Sequence, residues 1–180
     1  AYVDAAMTGG AAGAEAGTLA LMCGGEAAAL ERAAPVLGAF AAKVFHLGPV
    51  GAGHAMKLVH NAILHATFLA TCEGLRLAER AGIDPARAVA VLNAGNARSY
   101  VSEVRFPRDI LGGTYAVKSA VGTLAKDLRL AEGFAARMGA PAPYARLTAR
   151  LLARAAGTGD PGRDFARLFP EFDGFAGEEP

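Results

Sequence analysis

The sequence predicts a mainly α-helical protein. An all-helical C-terminal region built on one long helix follows the last strands of a truncated α/β sheet. Three observations lead there. Before residue 48 the apolar residues come in short runs of strand length, separated by glycines. From Gly48 onward the apolar spacing is helical throughout, and residues 53–81 carry no internal proline. At 180 residues, with 53% hydrophobic and 19% charged, the chain is long enough to bury a real core.

Tyr2–Met7 reads as a strand that ends in Thr8-Gly9-Gly10, and Thr18–Cys23 as a second strand closed by Gly24-Gly25. Glu26–Phe40 has helical spacing, with Leu30, Ala33, Ala34 and Leu37 on one stripe and Pro35 interrupting it. Lys43–Leu47 reads as a third strand. The long helix is expected from Gly53 to about Ala81, stopped by Gly82. Asp84 is an N-cap, with Pro85 at the first position of the next helix, which runs to Leu92. A linker over 93–96 precedes a short helix at Ser99–Val104 and a Pro/Gly loop through Gly113. Ser119–Met138 and Pro143–Ala156 are two further helices, each closed by glycine. Phe165, Phe169, Phe172 and Phe175 in the tail imply docking on the body of the protein or on a partner subunit.

Composition excludes several classes. A net charge of +1 gives no basic stripe for nucleic acid. The most apolar stretch, 62–72, is interrupted by His65 and falls far short of the roughly 18–20 residues that span a bilayer. Cys23 and Cys72 have no metal-ligand or disulfide-framework spacing and read as small buried hydrophobes, and a cytoplasmic location follows from them. The four histidines form no metal set. The N-terminus has no initiator Met and no signal-peptide pattern, and the chain starts mid-pattern, so a piece of a longer protein is expected.

Three local features could carry chemistry. In Gly48-Pro-Val-Gly51-Ala-Gly53-His-Ala-Met-Lys57-Leu-Val-His60-Asn61 the glycine spacing matches neither a P-loop nor a dinucleotide fingerprint. It places Lys57 and Asn61 one helical turn apart. A lysine in an apolar helix is either a proton-transfer group or a surface lysine lying along the helix. Thr8-Gly9-Gly10 offers a hydroxyl and open backbone N–H groups that suit a carboxylate or phosphate, and it also reads as an ordinary glycine turn. Lys126-Asp127 taken alone is a solvated face, and His60 and His65 read as structural histidines.

Together these pieces resemble the β-hydroxyacid dehydrogenases, the family of the 3-hydroxyisobutyrate and tartronate semialdehyde enzymes and, more distantly, of 6-phosphogluconate dehydrogenase. Asp4–Gly10 with Gly13-Ala14, Gly17-Thr18-Leu19 and Met22–Gly25 is similar to the substrate-binding segment. Gly48–Asn61 is similar to the catalytic segment, and Lys126–Ala131 to the third motif. The resemblance implies a Rossmann NAD(P)-binding domain, of which residues 1–47 are the C-terminal remnant, and a helical catalytic and dimerisation domain over 48–180. It implies Lys57 as the proton-transfer residue, and Thr8, Gly9, Gly10 and Asn61 as ligands of the substrate's carboxylate and hydroxyl. By the same resemblance Lys126 is expected beside the cofactor, NAD or NADP, the substrate is expected to be a small hydroxy acid, and the helical part is expected to form homodimers or homotetramers, with no metal. The glycine fingerprint that would complete the nucleotide site belongs upstream of Ala1, so the 180 residues by themselves are expected to be inactive.

The pattern has departures. Ala6 and Thr8 stand where proline and serine are usual. His60-Asn61 replaces the frequent Asn-Asn and resembles the phosphogluconate enzymes, but Leu64 stands where those have glutamate. Ser119 replaces an aromatic residue seven positions before Lys126. Imine reductases share the architecture and usually lack the lysine. Two other readings stay open: a catalytically inactive helical oligomerisation module, and a ketopantoate-reductase-like enzyme with a similar Lys and Asn on a helix.

Overall fold

The glycine-punctuated apolar runs at the start of the chain form a three-stranded sheet in the computed structural model, which describes residues 1–177. Strands β1 (Val3–Thr8), β2 (Leu19–Gly25) and β3 (Ala41–His46) lie in the order β1-β2-β3. β1 and β2 are antiparallel, with Val3 opposite Gly25 and Thr8 opposite Ala20. β2 and β3 are parallel, a pairing that needs a crossover, and helix α2 (Ala27–Leu37) supplies it. β2 is the central strand. It carries Leu19, Leu21 and Cys23 into a small core with Ala41, against which Val3, Leu30 and Leu37 pack.

Two features of this region differ from the sequence expectation. The glycine turn after β1 leads into a short helix, α1 (Gly10–Glu15), because Gly9 and Gly10 take φ of 125° and 64°, values open to glycine at little cost. β2 runs two residues further than expected, through Gly24 and Gly25. Pro35 is accommodated inside α2, near its C-terminal end.

The chain divides into two units, Ala1–His60 and Asn61–Pro180. The division falls inside helix α3 (Ala52–Arg80, 29 residues). The first turns of α3 group with the sheet because a carboxylate from β1 holds them, as described below.

In the second unit, α3 is joined by α4 (Pro85–Ala94), a π-helix (Val101–Leu111), α5 (Val121–Arg137), α6 (Pro143–Gly157), a 3₁₀ turn (Phe165–Leu168) and α7 (Phe172–Ala176). The Asp84 side chain accepts a hydrogen bond from the Arg87 amide at 3.0 Å, so the expected N-cap is formed. The π-helix replaces the expected short helix and Pro/Gly loop, and it contains Pro107. Tertiary burial overrides the proline signal. Val101, Phe106 and Ile110 are in the core, and Asp109 is buried between Arg105 (3.3 Å) and Arg108 (2.7 Å). These guanidiniums and the hydrogen bonds from them outweigh the effect of burial, which alone would raise the Asp109 pKa, and hold its carboxyl below the usual range.

The tail docks on the body of this unit. Phe165, Phe169, Phe172 and Phe175 are all buried with Phe68, Cys72, Leu75, Leu124, Leu128 and Leu152. Phe165 meets Phe68 edge-on at 4.9 Å, and Phe169 meets Phe106 at 5.1 Å. Both cysteines are buried free thiols, as expected, and burial pushes the Cys72 thiol well above its ordinary range. No described helix is long and apolar enough to cross a membrane.

Leu152 is fully buried in α6, whereas Leu147 on the same helix is 48% exposed. Leu152→Ala is expected to destabilise the protein by about 2–5 kcal/mol in urea unfolding. Leu147→Ala is expected to stay within about 0.5 kcal/mol.

Candidate active site

Strands disfavour aspartate, and a buried carboxylate must be matched by donors. Asp4, in β1, is only 2% exposed. Its Oδ1 accepts the Gly51 amide at 2.6 Å and its Oδ2 the His54 amide at 2.9 Å, with His54 Nδ1 at 3.7 Å. These amides lie at the entrance and in the first turn of α3, where backbone N–H groups have no intrahelical acceptor and the helix dipole favours an anion. Burial works to raise the Asp4 pKa, but the two amide hydrogen bonds and the His54 imidazole prevail and hold it below the ordinary 3.8.

Glycines make the approach possible. A Cβ on Gly24 would stand 2.5 Å from Asp4 Oδ1 and 2.5 Å from the Pro49 carbonyl. A Cβ on Gly53 would strike the Met22 carbonyl and stand 2.8 Å from Asp4 Oδ2. The helix therefore starts in direct contact with the sheet. Lys57 follows Gly53 by four residues and so shares its face. Its ammonium donates to the Met7 carbonyl at 2.8 Å. His60, three residues further on, has Nε2 3.2 Å from the Thr8 hydroxyl, and the imidazole tautomer decides which of the two donates. Asp4, Met7 and Thr8 of β1 thus meet residues 51/54, 57 and 60 in the same order.

In the second unit, Asn61 is 6% exposed and donates from Nδ2 to Asp127 Oδ2 at 2.8 Å. The other Asp127 oxygen lies 2.7 Å from Lys126 Nζ. One carboxylate on α5 therefore joins two of the residues singled out in the sequence.

Of those residues, the structure brings Thr8 and Lys57 to one end of β1, with Gly9 and Gly10 in the turn that follows, and brings Asn61 and Lys126 together through Asp127. Lys57 is half-buried, and Lys126 is exposed. Sequence reasoning missed Asp4 and the contact of His60 with Thr8, and it took Asp127 for a solvated group. For Asp4 a signal existed, since an acid inside an apolar strand needs a buried partner. The Met7 carbonyl, a backbone group, had none.

Comparison with known proteins shows what the chain is similar to. Residues 51–170 match the family described as NAD-binding of NADP-dependent 3-hydroxyisobutyrate dehydrogenase. Residues 1–48 match the NAD binding domain of 6-phosphogluconate dehydrogenase. The chain belongs to the 3-hydroxyisobutyrate dehydrogenase family. It is 37% identical over 130 residues to the 2-(hydroxymethyl)glutarate dehydrogenase of Eubacterium barkeri, across 72% of this chain and 43% of that protein. It is 32% identical over 189 residues to the NAD-dependent L-serine dehydrogenase of Pseudomonas aeruginosa, across 99% of this chain and 62% of that protein. Among solved structures, the Mycobacterium tuberculosis 3-hydroxyisobutyrate dehydrogenase with L-serine is 30% identical with a TM-score of 0.87, covering 94% of this chain and 60% of that one. The chain spans about half the length of the curated relatives it matches.

Because the folded Asp4 has a depressed pKa, its contribution to stability is fully present above its ordinary value of 3.8 and is lost as pH falls through the folded value. Unfolding measured across pH is expected to show Asp4→Asn less stable than wild type at pH 7, with the gap narrowing below pH 3.8. A gap that is constant or widens in acid would contradict this assignment.

Proposed function

We propose, from the chain's membership of the 3-hydroxyisobutyrate dehydrogenase family, that it is the catalytic part of an NAD- or NADP-dependent oxidoreductase. The protein oxidises a small 3-hydroxy acid to its semialdehyde, or reduces the semialdehyde. One observation carries the reading: the Lys57 ammonium sits 2.8 Å from the Met7 carbonyl, next to the hydroxyl of Thr8 and the glycine turn that follows it.

The roles follow from the groups present. Lys57 takes the proton of the substrate hydroxyl during oxidation, and its ammonium returns that proton to the developing alkoxide during reduction. The Met7 carbonyl fixes where that ammonium rests. The Thr8 hydroxyl and the Gly9 and Gly10 amides hold the substrate carboxylate. Their turn conformation supports this, with Gly9 and Gly10 at positive φ and open space where a Gly10 side chain would stand. Asn61 binds the substrate hydroxyl.

A bound nicotinamide would supply the acceptor for the hydride that leaves the carbon bearing the hydroxyl. Among the residues described, Lys126 would lie at the dinucleotide, and an exposed ammonium held 2.7 Å from Asp127 suits the edge of a polyanion. In this proposal residues 1–47 are the end of the Rossmann domain and residues 48–180 the helical catalytic and dimerisation domain, built on α3. The assembly is a homodimer or homotetramer in the cytoplasm.

The test is NAD- and NADP-dependent oxidation of a panel of small 3-hydroxy acids by the natural full-length protein. Lys57→Ala is expected to lower kcat by about 10²–10⁴-fold on the acid the protein oxidises. Wild-type turnover in that variant would refute the role given to Lys57.

A further inference from the structure

We propose that Asp4 is a positioning residue for the proton transfer: it places the Lys57 amine by fixing the start of α3 against β1. The inference rests on the reading of Lys57 given above and assigns a role to a residue that this reading leaves out.

Asp4 is remote from solvent, at 2% exposure, and its two oxygens hold the Gly51 and His54 amides at 2.6 and 2.9 Å. His54 precedes Lys57 by three residues, less than one helical turn. A shift of the first turn is therefore carried to the lysine almost undiminished. The amine in turn rests on Met7, three residues after Asp4 on the same strand. The strand thus holds both the clamp and the acceptor, and α3 has little freedom to place Lys57 elsewhere. Room is the second constraint. Gly24 and Gly53 bring backbone so close to Asp4 that a Cβ at either would lie within 2.8 Å of its carboxylate. The clamp fits a short acid at this position and no longer one.

This predicts a kinetic signature that general destabilisation does not produce. The carboxylate-binding turn at Thr8–Gly10 follows directly from β1, whereas the amine is carried on α3, the element that the clamp fixes. Misplacing a proton-transfer group lowers kcat, while binding of the acid, and with it KM, is largely kept.

The experiment uses the natural full-length protein, with kcat and KM for the oxidised 3-hydroxy acid normalised to folded protein. Asp4→Asn is expected to lower kcat at least tenfold and to change KM less than threefold. Gly53→Ala, which keeps the acid but sets a Cβ against the Met22 carbonyl and the Asp4 carboxylate and so forces the helix start away from the sheet, is expected to give the same signature, and it serves if Asp4→Asn does not fold. Leu21→Val, in the small core beneath the sheet, is the stability control and is expected to lower the melting temperature with kcat kept. The inference is overturned if Asp4→Asn keeps kcat within twofold, or if kcat falls equally in Leu21→Val at matched loss of melting temperature. If Lys57→Ala also turns over normally, the reading of Lys57 falls with it. If Lys57→Ala is inactive and Asp4→Asn is normal, only the role of Asp4 falls.

Discussion

A carboxylate taken out of water at the start of β1 needs donors, and a helix beginning beside it has amides without acceptors. Asp4 and the first turn of α3 meet each other's need, at 2.6 and 2.9 Å, and the arrangement of the first unit depends on that exchange. It explains why Gly53 stands in the first turn of α3, why Gly24 stands near the end of β2, and why the first turns of α3 group with the sheet rather than with the helices that follow. Removing only the helix-side donors would leave a buried charge uncompensated, which is far costlier than the loss of an ordinary surface pair.

Once the helix start is fixed, the rest of the contact between α3 and β1 follows from helix geometry. Gly53, Lys57 and His60 recur at spacings of four and three, so they return to one face and meet Asp4, Met7 and Thr8 along the strand. The second unit repeats the device on a smaller scale. Asp127 holds the Asn61 amide and the Lys126 ammonium, one with each oxygen. In both units a carboxylate lies beside residues that the sequence singles out.

Much of this was legible in the sequence, because it rests on local rules. The three strands and their order along the chain, the extent of α3, the Asp84 cap and the placement of both cysteines followed from periodicity, caps and composition. The π-helix was not legible. Pro107 and the glycines at 112 and 113 read as loop, and only the burial of Phe106, Ile110 and Asp109 makes a helical path favourable there. The short helix α1 was hidden for a related reason, since its glycines read as a turn and are one at its entry only. For the candidate site, Lys57, Asn61 and the Thr8 turn stood out by spacing and resemblance. The groups that fix them did not, since a backbone carbonyl leaves no mark in a sequence and long-range partners such as Asp4 with His54 lie 50 residues apart.

The residues of this chain fix where the Lys57 amine rests, on the Met7 carbonyl beside a helix start held by Asp4. The most direct test of that placement is amide hydrogen exchange at Gly51 and His54, followed by NMR at neutral pH. If Asp4 holds the start of α3, these two amides exchange far more slowly than the unbonded amides of surface loops, and they lose that protection in Asp4→Asn. Exchange at the rate of an exposed loop in the wild-type protein would contradict the account.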